Sequence, residues 1–129
     1  ATCVGDVMRP LTEVVRLSPT DKLTQSVEQI AASNFGIGAV VGGEGQLVGS
    51  LSDGDLRRGF CQKEGDLTAM TVEEIMSKEP KTICKQSSAT EAITLMEKHK
   101  ITSVFVTKEP KGALFGLVRL HDLLDSSLL

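Results

Sequence analysis

Apolar residues along this chain follow two kinds of spacing, and together they predict helices and strands in a regular order. Leu23, Val27 and Ile30 recur at the spacing of one face of an amphipathic helix. Short extended segments bounded by turn residues predict strands; they lie at residues 14–17, 37–41, 47–51, 81–84, 103–106 and 114–118. Glycine- or proline-containing turns at residues 42–45 and 109–112 predict that the strands on either side of each turn pair as hairpins.

The ends of the predicted helices carry their own signals. Ser88 opens the run Ser-Ala-Thr-Glu, a capping box in which Ser88 and Glu91 satisfy free amides, and Ile93 and Met96 follow on one helix face. Gly36 is expected to close the first long helix, since glycine is favoured at helix C-termini. A further helix is predicted to begin near residue 52 and another near residue 120.

The same order of motifs is present twice. The segment Val4-Gly-Asp-Val-Met8 returns as Val72-Glu-Glu-Ile-Met76, each the end of a predicted short helical turn. Gly49, Leu51, Asp55 and Leu56 return as Gly116, Val118, Asp122 and Leu123. The chain is therefore predicted to contain two repeats, 1–65 and 66–129, each with the order β-α-β-β-α. A unit of this size buries a marginal core, so we expect an α+β fold whose repeats pack as a pseudo-twofold pair with clefts between them.

Composition narrows the classes of partner. The 129 residues include four Phe but no Tyr or Trp, and the net charge is -3. The sequence thus offers no aromatic platform for single-stranded nucleic acid and no excess of basic residues for phosphate backbones. No apolar run approaches the ~20 residues of a membrane helix. We expect neither a nucleic acid nor a membrane as partner.

Cysteine and histidine spacing adds little chemistry. Cys3, Cys61 and Cys84 form no CxxC pair, and His99 and His121 form no HExxH motif. A metal site and a disulfide framework are therefore not expected, and a reducing, cytoplasmic location is the simplest interpretation. Because the chain begins with Ala rather than Met, it is expected to be a piece of a larger protein.

The stretch Gly49-Ser-Leu-Ser-Asp-Gly-Asp-Leu-Arg-Arg58 is the main candidate for ligand chemistry. Ser52 stands where a strand passes into a helix, and free amides at a helix start attract phosphate. Asp55 is placed to accept hydrogen bonds from a ribose diol. Asp53 lies between them and is counted among the candidate ligand-binding residues. The alternative is a capped helix with acidic residues in its first turn, which stabilises any helix.

With the repeat, the Gly-x-hydrophobic-Ser-x-x-Asp ending resembles a tandem pair of CBS domains, also called a Bateman module, over residues 4 to 125. In that family the Ser/Thr-x-x-Asp motif binds the phosphate and ribose of adenosine ligands in the cleft between repeats. The resemblance implies this role for Ser52 and Asp55, with the base pocket lined by Gly38, Ala39 and Val40.

The second repeat departs from the family pattern. It keeps Asp122 but has Arg119 where Ser or Thr is expected. Two interpretations of Arg119 stay open: contact with a ligand phosphate, or projection into solvent. Thr102 and Ser103 open the predicted strand at residues 103–106 of this repeat, where two interpretations stay open: they line a ligand cleft, or they form a polar strand edge.

Three runs are similar to the C-terminal part of D-arabinose 5-phosphate isomerases of the KpsF/GutQ type: Ser52-Asp-Gly-Asp-Leu-Arg-Arg58, Ile101-Thr-Ser-Val-Phe-Val106 and Leu120-His-Asp-Leu-Leu124. In that family an N-terminal sugar-isomerase domain interconverts D-ribulose 5-phosphate and D-arabinose 5-phosphate for 3-deoxy-D-manno-octulosonate and lipopolysaccharide synthesis. This chain contains none of that domain, so no catalytic residue is assigned.

The resemblance implies a regulatory module with no required cofactor. Its regulatory ligand would be AMP, ADP, ATP, CMP or a cytidylyl sugar, and its partners would be its own sugar-isomerase domain and further copies of the chain. Two alternatives remain: a structural oligomerisation module that binds no ligand, and a CBS pair from a different parent enzyme or transporter.

Overall fold

The computed structural model describes residues 2–62 and 65–125 of the chain. The helices and strands, in chain order, are α1 Val4–Val7, β1 Arg9–Pro10, β2 Val15–Leu17, α2 Leu23–Ala31, β3 Ile37–Val41, β4 Leu47–Ser52, α3 Asp53–Gln62, β5 Thr82–Ile83, α4 Ala89–His99, β6 Ser103–Thr107, β7 Leu114–Arg119 and α5 Leu120–Asp125. Short 3-10 helices lie at Leu11–Glu13, Leu67–Ala69 and Val72–Glu74. The α+β class and the order β-α-β-β-α in each repeat are confirmed.

The chain forms two compact units whose boundaries differ from the repeat boundaries. The first-repeat unit is Val14–Pro80, and the second-repeat unit joins Ala1–Glu13 to Lys81–Leu129. The physical reason is the placement of two equivalent valines: Val4 is buried in the core of the second-repeat unit, and Val72 in that of the first. The turn that contains Val4 precedes the first repeat but completes the core of the second, and the turn that contains Val72 precedes the second repeat but completes the core of the first. The division of the sequence at residue 65 stays a prediction about the repeats.

The first-repeat unit is built on a three-stranded sheet in the order β2-β3-β4. Strand β2 is parallel to β3, and β3 is antiparallel to β4. Apolar residues from the strands, α2 and α3 form one core: Leu17, Leu23, Ile30, Val40, Leu51, Leu56, Met70 and Val72. This core holds the end of β4 against the start of α3, the position of the candidate motif.

The second-repeat unit has a four-stranded sheet in the order β1-β7-β6-β5. Strand β1, from the N-terminal segment, pairs antiparallel with β7. The core is again shared by strands and helices: Val4, Ala89, Ala92, Met96, Val104, Val106, Val118 and Leu123. The first-repeat unit has an equivalent of β1 in a single bridge between Ser50 and Ser77.

Two equivalent glycines, Gly116 and Gly49, permit β1 and the Met76–Ser77 segment to approach their sheets closely. A Cβ placed on Gly116 would lie 2.2 Å from the Arg9 carbonyl oxygen. A Cβ on the equivalent Gly49 would lie 2.6 Å from Met76 Sδ and 2.8 Å from the Ser77 carbonyl oxygen. The repeated glycine thus marks, in each unit, the position where the segment that follows Met8 or Met76 packs against the sheet.

Helix ends agree with the sequence in one repeat and differ in the other. Ser88 is the N-cap of α4, and its hydroxyl accepts a hydrogen bond from the Glu91 amide at 3.0 Å. Helix α2 ends at Ala31, before the predicted closing residue Gly36. Gly36 instead has φ of 65° in the loop that leads into β3, a conformation that glycine adopts without strain.

Candidate functional site

Ser52 and Asp55 lie together at the turn from β4 into α3. The Asp55 carboxylate is buried, with 3% exposure. Its Oδ2 accepts from the Ser52 amide at 2.9 Å and from the Ser52 hydroxyl at 3.0 Å. The spacing that suggested a nucleotide contact therefore also makes a closed local hydrogen-bonded turn at the start of the helix.

Two further side chains complete the environment of Asp55. Its Oδ1 accepts from the Ser77 hydroxyl at 2.5 Å and from the Arg58 guanidinium. Ser77 is held next to β4 because its amide and carbonyl pair with the carbonyl and amide of Ser50, both at 2.9 Å. A ribose hydroxyl that binds Asp55 must therefore replace one of these donors. The side chain of Arg58 is 59% exposed, so it has solvent into which it can move.

Gly38, Ala39 and Val40 are all buried on β3, the central strand of the sheet. A Cβ on Gly38 would meet Leu17 at 3.0 Å and Ile30 at 3.4 Å, and Val40 belongs to the core. Gly38 and Val40 thus face the core of their own unit, and Ala39 is on the opposite face of the strand. The three residues do not share one open surface.

Among the residues that the structure describes, neither Asp53 nor Asp66 belongs to a group of side chains that could hold a metal ion. Asp53 is exposed at the first position of α3. Asp66 accepts hydrogen bonds from the amide and hydroxyl of Thr68 at 2.9 and 2.6 Å, and these hydrogen bonds lower the pKa of Asp66, the hydroxyl first. Within residues 2–62 and 65–125, no group of three His, Cys, Asp or Glu side chains converges.

The equivalent turn of the second repeat holds an ion-pair cluster. Arg119 donates from Nε and Nη2 to the two carboxylate oxygens of Asp122, at 3.0 and 3.1 Å. Arg9, carried in by β1, makes a second two-pronged contact with the same carboxylate at 3.0 and 3.1 Å. Hydrogen bonds from Arg9 and then from Arg119 hold the pKa of Asp122 well below its usual range. Arg119 therefore lies against Asp122, and its contact with a ligand phosphate stays a prediction.

Thr102 and Ser103 lie beside this cluster. Thr102 is exposed, and its carbonyl accepts from the Leu120 amide at 2.9 Å, at the start of α5. Ser103 is half-buried and pairs with Arg119 across β6 and β7. The structure brings both residues near the start of α5, beside Arg119, and their role in lining a ligand cleft stays a prediction.

Ser77 and Arg9 are the two site residues that sequence reasoning missed. Each follows the methionine that ends a repeated segment, Met76 or Met8, and each contacts the aspartate of the motif. Their equivalence in the repeat was visible in the sequence. Their contact with the motif was not, because Arg9 and Asp122 are 113 positions apart.

Comparison with known families and proteins gives consistent matches. A family model described as CBS domain matches residues 4–61 and 72–128. The arabinose 5-phosphate isomerase KpsF of Escherichia coli O6:H1 is 36% identical over 121 residues, 94% of this chain and 36% of that protein. The isomerase KdsD of Francisella tularensis is 36% identical over 126 residues, 97% of this chain and 37% of that protein. The chain thus spans little more than a third of the length of these relatives.

Solved structures share the fold at low sequence identity. A complex of CBSX2 with AMP has a TM-score of 0.82 at 20% identity and covers 99% of this chain and 97% of its own. The CBS domain pair of MJ0100, bound to 5'-methylthioadenosine and S-adenosyl-L-methionine, has a TM-score of 0.81 at 20% identity, covering 98% and 95%. Within the described residues, no helix is both long enough and apolar enough to cross a bilayer.

Proposed function

Because the chain belongs to the CBS domain family, as its repeat and motif predicted, we propose that it is the regulatory nucleotide-binding part of a longer sugar-phosphate isomerase. The proposed ligand is AMP, ADP, ATP, CMP or a cytidylyl sugar, bound at the Ser52–Asp55 turn. The proposed parent is a cytoplasmic D-arabinose 5-phosphate isomerase, supported by the two relatives at 36% identity. The proposed effect is a change in the activity of the isomerase domain when the nucleotide binds.

The observation that carries the nucleotide site is the set of donors around Asp55. Two of the groups that donate to the Asp55 carboxylate are serine hydroxyls, those of Ser52 and Ser77, and a ribose hydroxyl is the same kind of donor. Exchanging the Ser77 hydroxyl for a ribose hydroxyl keeps Asp55 fully hydrogen-bonded, so burial of the carboxylate is not penalised. Arg58 keeps its contact with Asp55, and its remaining N–H groups, on a largely exposed side chain, are available to a phosphate, which guanidinium groups bind well.

The same reasoning favours a ligand site in the first repeat over one in the second. Asp122 accepts its four hydrogen bonds from the guanidinium groups of Arg9 and Arg119. Charge-assisted hydrogen bonds of this kind are roughly twice as strong as neutral ones. A neutral ribose hydroxyl does not compete with them, so we expect one nucleotide per chain.

Calorimetric titration of the chain with each candidate nucleotide tests the proposal. We expect one ligand to bind with a stoichiometry of one, and Asp55→Asn to weaken it about tenfold or more, because the neutral amide is a poorer acceptor for two donors. Ser52→Ala should weaken it as well. The matched control is Asp122→Asn, which should leave affinity unchanged. Absence of binding by all candidates at millimolar concentration, or equal losses in Asp55→Asn and Asp122→Asn, would refute the site.

Association of copies of the chain is a second proposed role. Phe60 on α3 and Leu124 on α5 are large apolar side chains that are 54% and 56% exposed, and we propose that they are where another copy of the chain packs. Light scattering of the chain with and without nucleotide tests this role. A particle larger than one chain that dissociates in Phe60→Ser supports assembly, whereas a monomer at high concentration contradicts it.

The isomerase parent is tested on the full-length protein. Conversion of D-ribulose 5-phosphate to D-arabinose 5-phosphate should change when the nucleotide that binds this chain is added. Allosteric coupling is typically about 1–3 kcal/mol, so a change of about 5- to 150-fold in ligand affinity or substrate affinity is the expected range. A parent without this activity would place the pair in a different enzyme or a transporter.

A further inference from the structure

A cleft of about 400 Å³ lies in the second-repeat unit, away from the Arg119–Asp122 turn. Its walls include Thr107, at the end of β6, where the strand pairs with the first residue of β7. Arg119 is at the opposite end of that strand pair, opposite Ser103. The cleft is thus a separate feature from the motif of the repeat, and its volume is within the range of small-molecule sites.

Thr107 presents an unused hydrogen-bonding group to this cleft. The residue is only 1% exposed, and its side chain has no hydrogen-bond partner within residues 2–62 and 65–125. Fully enclosed side-chain nitrogen and oxygen atoms in the described part of the chain all have partners, so the Thr107 hydroxyl meets the open space of the cleft. A hydroxyl that reaches this space without a partner in the described protein is available to donate to a bound ligand.

Cys84 also lines the cleft, in the turn between β5 and α4. Its sulfur is exposed and 3.0 Å from the Ser87 hydroxyl. That hydroxyl, followed by nearby backbone amides, lowers the pKa of the Cys84 thiol. Lys108 and Glu109 line the same cleft. The cleft thus combines a nucleophilic sulfur with one cationic and one anionic side chain.

The other two cysteines lack these features. Cys61 is exposed near the end of α3. Cys3 is half-buried, and its thiol donates to the Asp6 carboxylate at 3.3 Å. Since Cys61 and Cys84 are both exposed, any large difference in their reactivity must come from their surroundings.

We propose that this cleft is a site of thiol–disulfide exchange, where Cys84 captures one half of a small disulfide that carries carboxylate and ammonium groups. The Cys84 thiolate forms a bond to one sulfur of that disulfide, and the original sulfur–sulfur bond breaks. The other half leaves as a thiolate and takes a proton from water, so Cys84 is oxidised and the leaving thiol is reduced. Lys108 and Glu109 match the charges of the captured half, and the Thr107 hydroxyl donates to it.

The test uses the whole chain with oxidised glutathione as probe, and mass spectrometry of peptides follows each cysteine separately. We expect the adduct at Cys84 to form about tenfold faster than the adduct at Cys61, since the thiolate is the reactive form. Cys61 is an internal standard in the same molecule. A ratio of about three or more supports the proposal, and a smaller ratio overturns it.

Two substitutions separate the cleft from simple exposure of the thiol. Thr107→Val keeps the shape and removes the hydroxyl, so the Cys84 rate should fall about threefold, as for loss of one hydrogen bond. The matched control is Thr102→Val, an exposed threonine outside the cleft, which should leave the rate unchanged. Ser87→Ala should also lower it. An unchanged Cys84-to-Cys61 ratio in both Thr107→Val and Ser87→Ala overturns the proposal, and unfolding of a variant would show as equal rates at all three cysteines.

Discussion

Replacement of Gly116 by alanine tests the close approach of the N-terminal segment to the second-repeat unit. The new Cβ would lie 2.2 Å from the Arg9 carbonyl oxygen, whereas ordinary contacts begin near 3.4 Å. The obstacle is backbone, so β1 must move by about 1 Å, more than a hydrogen bond tolerates. Loss of the β1–β7 pairing, at about 0.5–1.5 kcal/mol per hydrogen bond, with about 1–3 kcal/mol for overpacking, predicts a destabilisation of about 3 kcal/mol.

Urea unfolding of Gly116→Ala is best followed by far-ultraviolet circular dichroism, because the chain has no Trp or Tyr for fluorescence. Gly43→Ala is the matched control, since a Cβ there meets nothing within 4 Å and should change stability by less than about 1 kcal/mol. Gly49→Ala should fall between them, because the Met76 side chain can move but the Ser77 carbonyl cannot. Equal stability of Gly116→Ala and Gly43→Ala would refute the reasoning.

Three other substitutions test the caps and cores of the second-repeat unit. The two arginine partners of Asp122 lower its pKa in the folded chain, so its contribution to stability is present above about pH 4 and is lost as the pH falls further. The free energy of unfolding of Asp122→Asn should therefore fall less steeply than that of the unmodified chain between about pH 4 and 2. Parallel profiles would contradict this. Ser88→Ala removes the N-cap of α4 and should cost about 1 kcal/mol in urea unfolding. Leu123→Ala, at a fully buried position, should cost about 2–5 kcal/mol, whereas Leu124→Ala, at an exposed one, should change stability little; similar losses would show that Leu123 does not pack in the core.

Local patterns predicted much of the fold because they depend on neighbours in sequence. The strand at residues 37–41 has the predicted bounds, and Ser88 caps its helix as its spacing to Glu91 indicated. The end of α2 was predicted too late, at Gly36 rather than Ala31. A glycine in a sequence indicates a turn, but it does not show whether the turn ends the helix or, as at Gly36, leads into the next strand.

The sequence identified the residues of the candidate site but did not predict the hydrogen bonds between them. Ser52 and Asp55 were selected for ligand chemistry, and the structure shows them hydrogen-bonded to each other. Arg119 was seen as a departure from the family pattern, but its pairing with Asp122 depends on geometry that spacing alone does not specify. The substitution changes the donor to the repeat's aspartate from a hydroxyl to a guanidinium, which is the physical basis for expecting one nucleotide per chain.

The sequence by itself determined the repeat, the order of helices and strands, the capped turns and the family. These follow from periodicity and from short-range hydrogen bonding, which act over a few residues. Only the tertiary structure decided that the N-terminal segment completes the core of the second-repeat unit and that Arg9 reaches Asp122. The reason is that each repeat leaves an apolar gap that Val4 or Val72 fills, and which valine fills which gap depends on the path of the whole chain.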